Sequence, residues 1–252
     1  MATKKIAIVI PVYNEPSIGK TLQSLYDQKL STADIHHFLV DNGSTDNTKE
    51  LIQKFAAEHP GFSLTIVDEL QKGTGAASDT GFRYAIKKGY PVIARTDGDS
   101  EPLPDWTAII YDNFYSQSPP RLLGGATLAL HDKYYKPSDE WLVPLVGRAS
   151  RFILAVQHRN INHVRTAHGY NMVTTAETYL EVGGFPRSSI GELDEDIAYT
   201  VKVADTFGKK SIRLDWKLKV RTSSRRARRY GVIRAALYYL FPSHRKGDVD
   251  IR

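Results

Sequence analysis

Apolar positions in the first hundred residues come in short unbroken runs separated by helically spaced stripes. Ile6-Ala7-Ile8-Val9-Ile10 is a continuous run, as expected for a parallel strand buried on both faces, and Pro11 is expected to stop it. Ile18, Leu22, Leu25 and Tyr26 follow at helical spacing, which predicts an amphipathic helix to about Gln28. Phe38-Leu39-Val40 predicts a second strand, and Leu51, Ile52 and Phe55 mark the helix after it. Leu64 to Val67 reads as a third strand, Phe82, Ala85 and Ile86 as a third helix, and Val92 to Ala94 as a fourth strand. Such β-loop-α alternation implies an open, largely parallel sheet whose ligand crevice lies beyond the carboxyl ends of its strands. The loop from Pro11 to Glu15, the turn-rich Asp41 to Asp46 and the pair Asp97/Asp99 all fall at such ends, so polar clusters far apart in sequence should converge there.

The fourth strand runs into Arg95-Thr96-Asp97-Gly98-Asp99-Ser100. If the chain stays extended, Asp97 and Asp99 share one side, and the glycine between them allows close approach of a ligand. Two hard carboxylates suit Mg²⁺ or Mn²⁺ with open positions for phosphate oxygens. Asp and Gly are equally good turn formers, and the local pattern alone leaves the two readings level. Gly73 and Gly75 do not make a dinucleotide fingerprint, because Ser78 stands where the third glycine belongs, and no phosphate-loop kinase motif occurs.

Past Ser100, Trp106, Ile109 and Ile110 form another helical stripe, and Leu122 to Ala126 another strand. Residues 131 to 165 change character: Pro137 and Pro144 interrupt them, Leu142, Val146, Phe152, Ile153 and Val156 suggest helical pieces, and Tyr134, Tyr135 and Trp141 are left without an assignment. Glu192, Asp194, Glu195 and Asp196 precede a helix marked by Ile197, Val201 and Ala204, where acids are stabilised by the helix dipole whatever the function. The 252 residues and 41% hydrophobic content suffice for one large α/β domain, or for one domain with an appended subdomain. Absence of cysteine excludes disulfides, Cys-ligated zinc and thiol catalysis. No apolar leader follows the first methionine, and no run approaches the ~20 apolar residues of a spanning helix, so a cytoplasmic chain is expected. The net charge of +6 is uneven, with a strongly basic stretch from Lys217 to Arg229.

Taken together, Ile8 to Glu15, Val40 to Thr48, Lys72-Gly73 with Ala77 to Gly81, Asp97-Gly98-Asp99, Gly183-Gly184-Phe185 and Glu195-Asp196 resemble, in order and spacing, the family 2 glycosyltransferases over about residues 5 to 215. The resemblance implies an α/β GT-A fold, a Rossmann-like nucleotide-diphospho-sugar transferase architecture with a mostly parallel central sheet flanked by helices. It implies residues 1–222 as the transferase domain, with 1–100 the nucleotide-binding half and 101–222 the acceptor half, and 223–252 a basic amphipathic tail. By the same resemblance Pro11, Tyr13 and Glu15 form the first nucleotide-binding loop, and Asp41 holds the donor base. Lys72 and Asp79 stand near ribose and phosphates, Asp97 meets the ribose or donor sugar, and Asp97 with Asp99 forms the metal pair for Mn²⁺ or Mg²⁺. Asp196 matches the catalytic base, whereas Glu195, about 100° round the helix from it, should not also face the sugar. The implied reaction is inverting transfer from a nucleotide sugar, UDP-linked in preference to GDP-linked, to a carbohydrate or lipid-linked acceptor in glycan or cell-envelope synthesis.

One feature departs from the family pattern. The stretch Lys219 to Ser224 lacks the histidine that many relatives supply as a further metal ligand, and His168 and His244 are weak substitutes. Ser223, Ser224, Arg225 and Arg226 are instead candidate diphosphate contacts, since arginine forks match phosphate oxygens. The tail combines arginines with a stripe of Tyr230, Ile233, Leu237, Leu240 and Phe241, a pattern that suits peripheral contact with an anionic membrane, a cap on the core or a homodimer seam. Other classes of function are an inactive sugar-nucleotide sensor and a nucleic-acid binder using the basic tail. Nucleic acid is disfavoured, because the aspartates of the crevice would repel its backbone.

Overall fold

The computed structural model describes residues 3–29, 32–133, 135–141, 145, 167–187, 195–223 and 225. Arg226, Glu192, Asp194, His244, Tyr134 and the apolar positions named between Leu142 and Val156 lie outside these residues, as does the tail stripe from Tyr230 to Phe241. The strands are β1 (Lys5–Val12), β2 (Asp34–Asp41), β3 (Leu64–Asp68), β4 (Val92–Arg95), β5 (Ser100–Pro102), β6 (Leu122–Ala129), β7 (Met172–Thr175) and β8 (Ile212–Thr222). The helices are α1 (Ile18–Tyr26), α2 (Thr48–Glu58), α3 (Thr74–Lys87), α4 (Trp106–Phe114), α5 (Ala176–Glu181) and α6 (Glu195–Phe207).

All eight strands join one sheet in the order β3-β2-β1-β4-β7-β6-β8-β5. The β1, β2, β3 and β4 pairings are parallel, as is β6 with β8, whereas β7 and β5 run antiparallel to their neighbours. The mostly parallel sheet flanked by helices therefore holds, with two reversed strands that the local pattern does not show. β1 buries both faces because its side chains alternate: Ile6, Ile8 and Ile10 pack with Ile18, Leu22, Ile52, Trp106 and Ile110 on one side. Ala7 and Val9 pack with Ala77, Phe82, Tyr179 and Tyr199 on the other. Helix α3 comes so close that a Cβ on Gly81 would lie 2.4 Å from a Val9 methyl and 2.7 Å from one of Val40.

Pro11 does not stop β1, which continues to Val12 with Pro11 opposite Val40. The reason is topological: β4 leaves the ladder with Arg95 opposite Val9, so Pro11 has a strand on one side only and its missing N–H is tolerated. β5 is a short edge strand against β8, and β8 itself skips from Asp215 to Lys219 opposite Gly125 and Ala126, a bulge that no local periodicity announces. No helix among the described residues is long and apolar enough to cross a membrane.

His37 in β2 is buried, stacks on Phe62 at 4.1 Å and places Nδ1 2.9 Å from the Ser63 carbonyl. Burial pulls its pKa from 6.5 down to about 4, against the pull of that carbonyl. Because the folded value lies below the unfolded one, the neutral ring's contribution is complete above pH 6.5 and is lost as pH falls from 6.5 to about 4. The loss should total roughly 3 kcal/mol. In His37→Phe, where the Ser63 carbonyl keeps the His37 backbone N–H at 2.9 Å, urea unfolding at several pH values should show that part of the acid sensitivity gone.

Candidate active site

Four strands deliver loops to the same edge of the sheet, and side chains lock those loops to one another. Asn14, after β1, adopts a left-handed backbone at φ 48°, which an Asn tolerates, and takes Thr45 N–H on its side-chain oxygen at 2.8 Å. Its own N–H reaches Ser44 Oγ at 3.0 Å, and Glu15 N–H reaches Thr48 Oγ1 at 2.7 Å. The buried Asp41 carboxylate accepts the Ser44 N–H at 3.2 Å. Lys72 donates to the carbonyls of Asn42 and Gly43 at 2.8 and 2.9 Å with its ammonium 3.9 Å from the Tyr13 ring centroid. Tyr13, Glu15, Asp41 and Lys72 are thus brought to one region, with Pro11 in the strand beneath.

Asp97 and Asp99 do not lie on an extended strand. β4 ends at Arg95, and Ser100 N–H closes a turn onto the Asp97 carbonyl at 3.1 Å. Gly98 serves packing inside that turn: a Cβ would sit 2.8 Å from a Val12 methyl, and Thr21 Oγ1 donates to the Gly98 carbonyl at 2.7 Å. Each aspartate meets an arginine. Arg95, 2% exposed, donates from Nη2 and Nε to Asp97 Oδ1 at 3.1 and 3.3 Å and from Nη1 to Glu195 Oε1 at 2.8 Å. Burial works against the Arg95 charge, but Asp97, Glu195 and Asp196 more than offset it and raise its pKa. Arg225 reaches back past the end of β8 to pair with Asp99 Oδ2 at 2.7 Å and Glu15 Oε2 at 2.8 Å. Glu15 also accepts from the Ser17 hydroxyl, and Ser223 Oγ bonds Asp132.

At the head of α6 the two adjacent acids divide as helix geometry requires. Glu195 turns to Arg95, whereas Asp196 accepts the Gly169 N–H at 2.8 Å on Oδ2. Asp79, expected near ribose and phosphates, lies within a network of protein side chains. Its carboxylate, 2% exposed, accepts from Arg83 at 2.9 Å, Tyr179 at 2.8 Å and Arg187 at 3.2 Å, so protein donors hold both oxygens and anchor α3. His168 stacks on Tyr170.

Among the described residues no three His, Cys, Asp or Glu side chains gather as a cation cage. The Asp97/Asp99 pair fits the other mode, in which one or two carboxylates share a hard cation with substrate phosphates. Sequence reasoning missed Arg95 and Gly169. The signal for Arg95 was a charge closing an apolar run in a strand buried on both faces; Gly169 offered none, since its role depends on a long-range contact.

A family model described as glycosyl transferase family 2 matches residues 7–119, which run from β1 through α4 and include the Asp97–Asp99 turn but not α6. Glycosyltransferase AglE of Haloferax volcanii is 34% identical over 102 residues, 40% of this chain and 32% of that protein. Polyprenol monophosphomannose synthase of Mycolicibacterium smegmatis is 27% identical over 136 residues, 52% of this chain and 46% of its own. The matched stretch thus spans less than half the length of either relative. Mannosyltransferase PcManGT from Pyrobaculum calidifontis, solved with GDP-Man and Mn²⁺, superposes with a TM-score of 0.64 at 20% identity, covering 98% of this chain and 66% of that one. At that identity the likeness is one of fold.

The polar loops also carry a stability consequence. Asn42 is 4% exposed and spends all its amide groups on the next loop, donating to the Glu69 and Gln71 carbonyls at 2.9 and 2.7 Å and accepting Gly73 N–H at 2.8 Å. Asn42→Ala should cost about 2 kcal/mol by orphaning these groups, and hydrogen exchange at the Gly73 amide should accelerate.

Proposed function

This chain belongs to glycosyl transferase family 2, and from that premise we propose that its crevice moves a sugar from a nucleoside-diphosphate donor to an acceptor hydroxyl with inversion. The observation that carries the reading is that the Asp97–Asp99 turn and the Glu195-Asp196 helix head, a hundred residues apart, meet across one guanidinium. In this reading Asp41, Tyr13 and Lys72 hold the donor nucleotide, and Asp97 and Asp99 hold a Mg²⁺ or Mn²⁺ ion shared with the diphosphate. That ion, when bound, stabilises charge developing on the leaving diphosphate. Asp196 takes the proton of the acceptor hydroxyl as its oxygen bonds the anomeric carbon and the bond to the diphosphate breaks. Gly169 N–H and the backbone N–H of Ile197 hold the Asp196 carboxylate for that transfer. Arg225 and its neighbour Arg226 are the arginines we assign to the diphosphate once the donor is present, with Arg225 exchanging Asp99 for phosphate. A UDP-sugar donor is favoured over a GDP-sugar. The name of the polyprenol relative favours a lipid-linked acceptor and peripheral membrane contact through the tail.

Calorimetry with UDP, GDP and their sugars, with and without Mn²⁺, tests the donor site. Metal-dependent binding of one nucleotide should appear in the wild type and fall by about tenfold or more in Asp99→Ala, one lost charge-assisted contact being worth 1.5–3 kcal/mol; no nucleotide binding in the wild type would sink the reading. Asp196→Asn should keep donor affinity and lower turnover by about 10² to 10⁴, whereas wild-type turnover would remove Asp196 as the base. Arg225→Ala should weaken nucleotide binding by about tenfold, and an unchanged affinity would leave Arg225 as a structural contact only.

A further inference from the structure

Arg95 is among the largest side chains wholly removed from water, at the end of a strand whose other residues are Val92, Ile93 and Ala94. The fold alone does not ask for a charge there, since an apolar residue of similar volume would avoid the desolvation that a guanidinium suffers. The surroundings are shaped to the fork. Gly169 lies against it so closely that a Cβ would come 2.7 Å from Cζ and 2.8 Å from both terminal nitrogens, and Cζ stands 5.7 Å from the Phe185 ring centroid. Held this way, one edge of the guanidinium faces Asp97 on the donor turn and the other faces Glu195 on α6. The same Gly169 supplies the N–H that Asp196 accepts.

We propose that Arg95 is a positioning residue for the transfer step. By drawing Glu195 onto its fork it fixes the rotation of the head of α6, and this leaves Asp196, about 100° further round the helix, held by Gly169 N–H on the acceptor side. Its charge also lets Asp97, Glu195 and Asp196 share one crevice without mutual repulsion dispersing them. The inference rests on the glycosyltransferase reading and adds that alignment of the base depends on an ion pair that touches neither sugar nor acceptor.

Two substitutions cut the link from opposite sides. Arg95→Lys keeps the charge but replaces a planar fork by a single ammonium that cannot serve both carboxylates in the same geometry. Glu195→Gln keeps the shape of the partly exposed partner and removes its charge. The readout is release of nucleoside diphosphate from the donor sugar, beside the Kd of donor and, by electron paramagnetic resonance, the Kd of Mn²⁺ alone. Arg95→Lys should lower turnover by about 10², the scale of a misalignment near 1 Å, with donor Kd little changed and Mn²⁺ binding unchanged or tighter. Glu195→Gln should fall the same way by less, and the double variant should be no worse than Arg95→Lys, because both changes remove one interaction. A damaged fold would instead weaken donor, Mn²⁺ and turnover together with the melting temperature, and that pattern in Glu195→Gln would overturn the proposal. So would wild-type turnover in both folded variants. A wild type that binds no nucleotide sugar removes the glycosyltransferase reading and the inference with it, whereas a wild type that turns over beside unaffected variants removes the inference alone.

Discussion

Taking a guanidinium out of water costs several kcal/mol even after relaxation, and only well-placed opposite charges offset it. Arg95 meets that condition with Asp97 and Glu195, and much of the molecule's second half is arranged around their doing so. α6 must begin where Glu195 can reach the end of β4, and the turn Gly169–Asn171 must lie flat on the fork, with no side chain at its first residue. β7 follows directly from that turn and pairs with β4, so the reversed strand that widens the sheet and the ion pair that joins its two halves are set by one stretch of chain.

The carboxyl edge of the parallel strands poses a different problem. Loops there carry backbone donors and acceptors that the sheet no longer satisfies, and here the side chains of Asn14, Asn42, Asp41 and Lys72 take them up. Loops closed by such bonds start out ordered, so a ligand that docks on them need not order them first. The Asp79 network does the same for the start of the crevice wall: with Tyr179, Arg83 and Arg187 on one buried carboxylate, α3 is tied to α5 and to the chain after it.

How much of this the sequence reveals follows the range of the interactions involved. The strands and helices up to Arg95, and α4 after them, were legible because burial on two faces demands unbroken apolar runs and burial on one face demands a 3.6-residue stripe. The edge strand β5, the β8 bulge and the reversal of β7 depend on partners far along the chain, and no local period encodes them. The motif Asp97-Gly98-Asp99 was legible as chemistry but not as conformation, since the turn depends on a close approach to Val12, far back along the chain, that a Cβ on Gly98 would press to 2.8 Å. The network around Asp79 was not legible either, because the tyrosine and arginines that bond it sit four to about a hundred residues away.

The two aspartates of the turn are alike in sequence and unlike in electrostatic situation. Asp97 shares its charge with a cation that has nowhere else to go: Arg95 is boxed by Gly169, and its guanidinium has a second carboxylate in Glu195. Asp99 shares its charge with Arg225, whose side chain is 24% exposed and anchored from the last residues after β8. The Asp99–Arg225 pair is only partly buried and the Arg95 side chain is 2% exposed, so exchanging the partner of Asp99 costs less than taking Asp97 from Arg95, which would leave a buried guanidinium with one carboxylate fewer. The turn therefore carries one carboxylate paired with a buried arginine and one paired with a partly exposed arginine. Under the proposed function, in which both carboxylates hold the cation, Asp99 is the one that exchanges its arginine when the donor arrives, while Asp97 keeps its own.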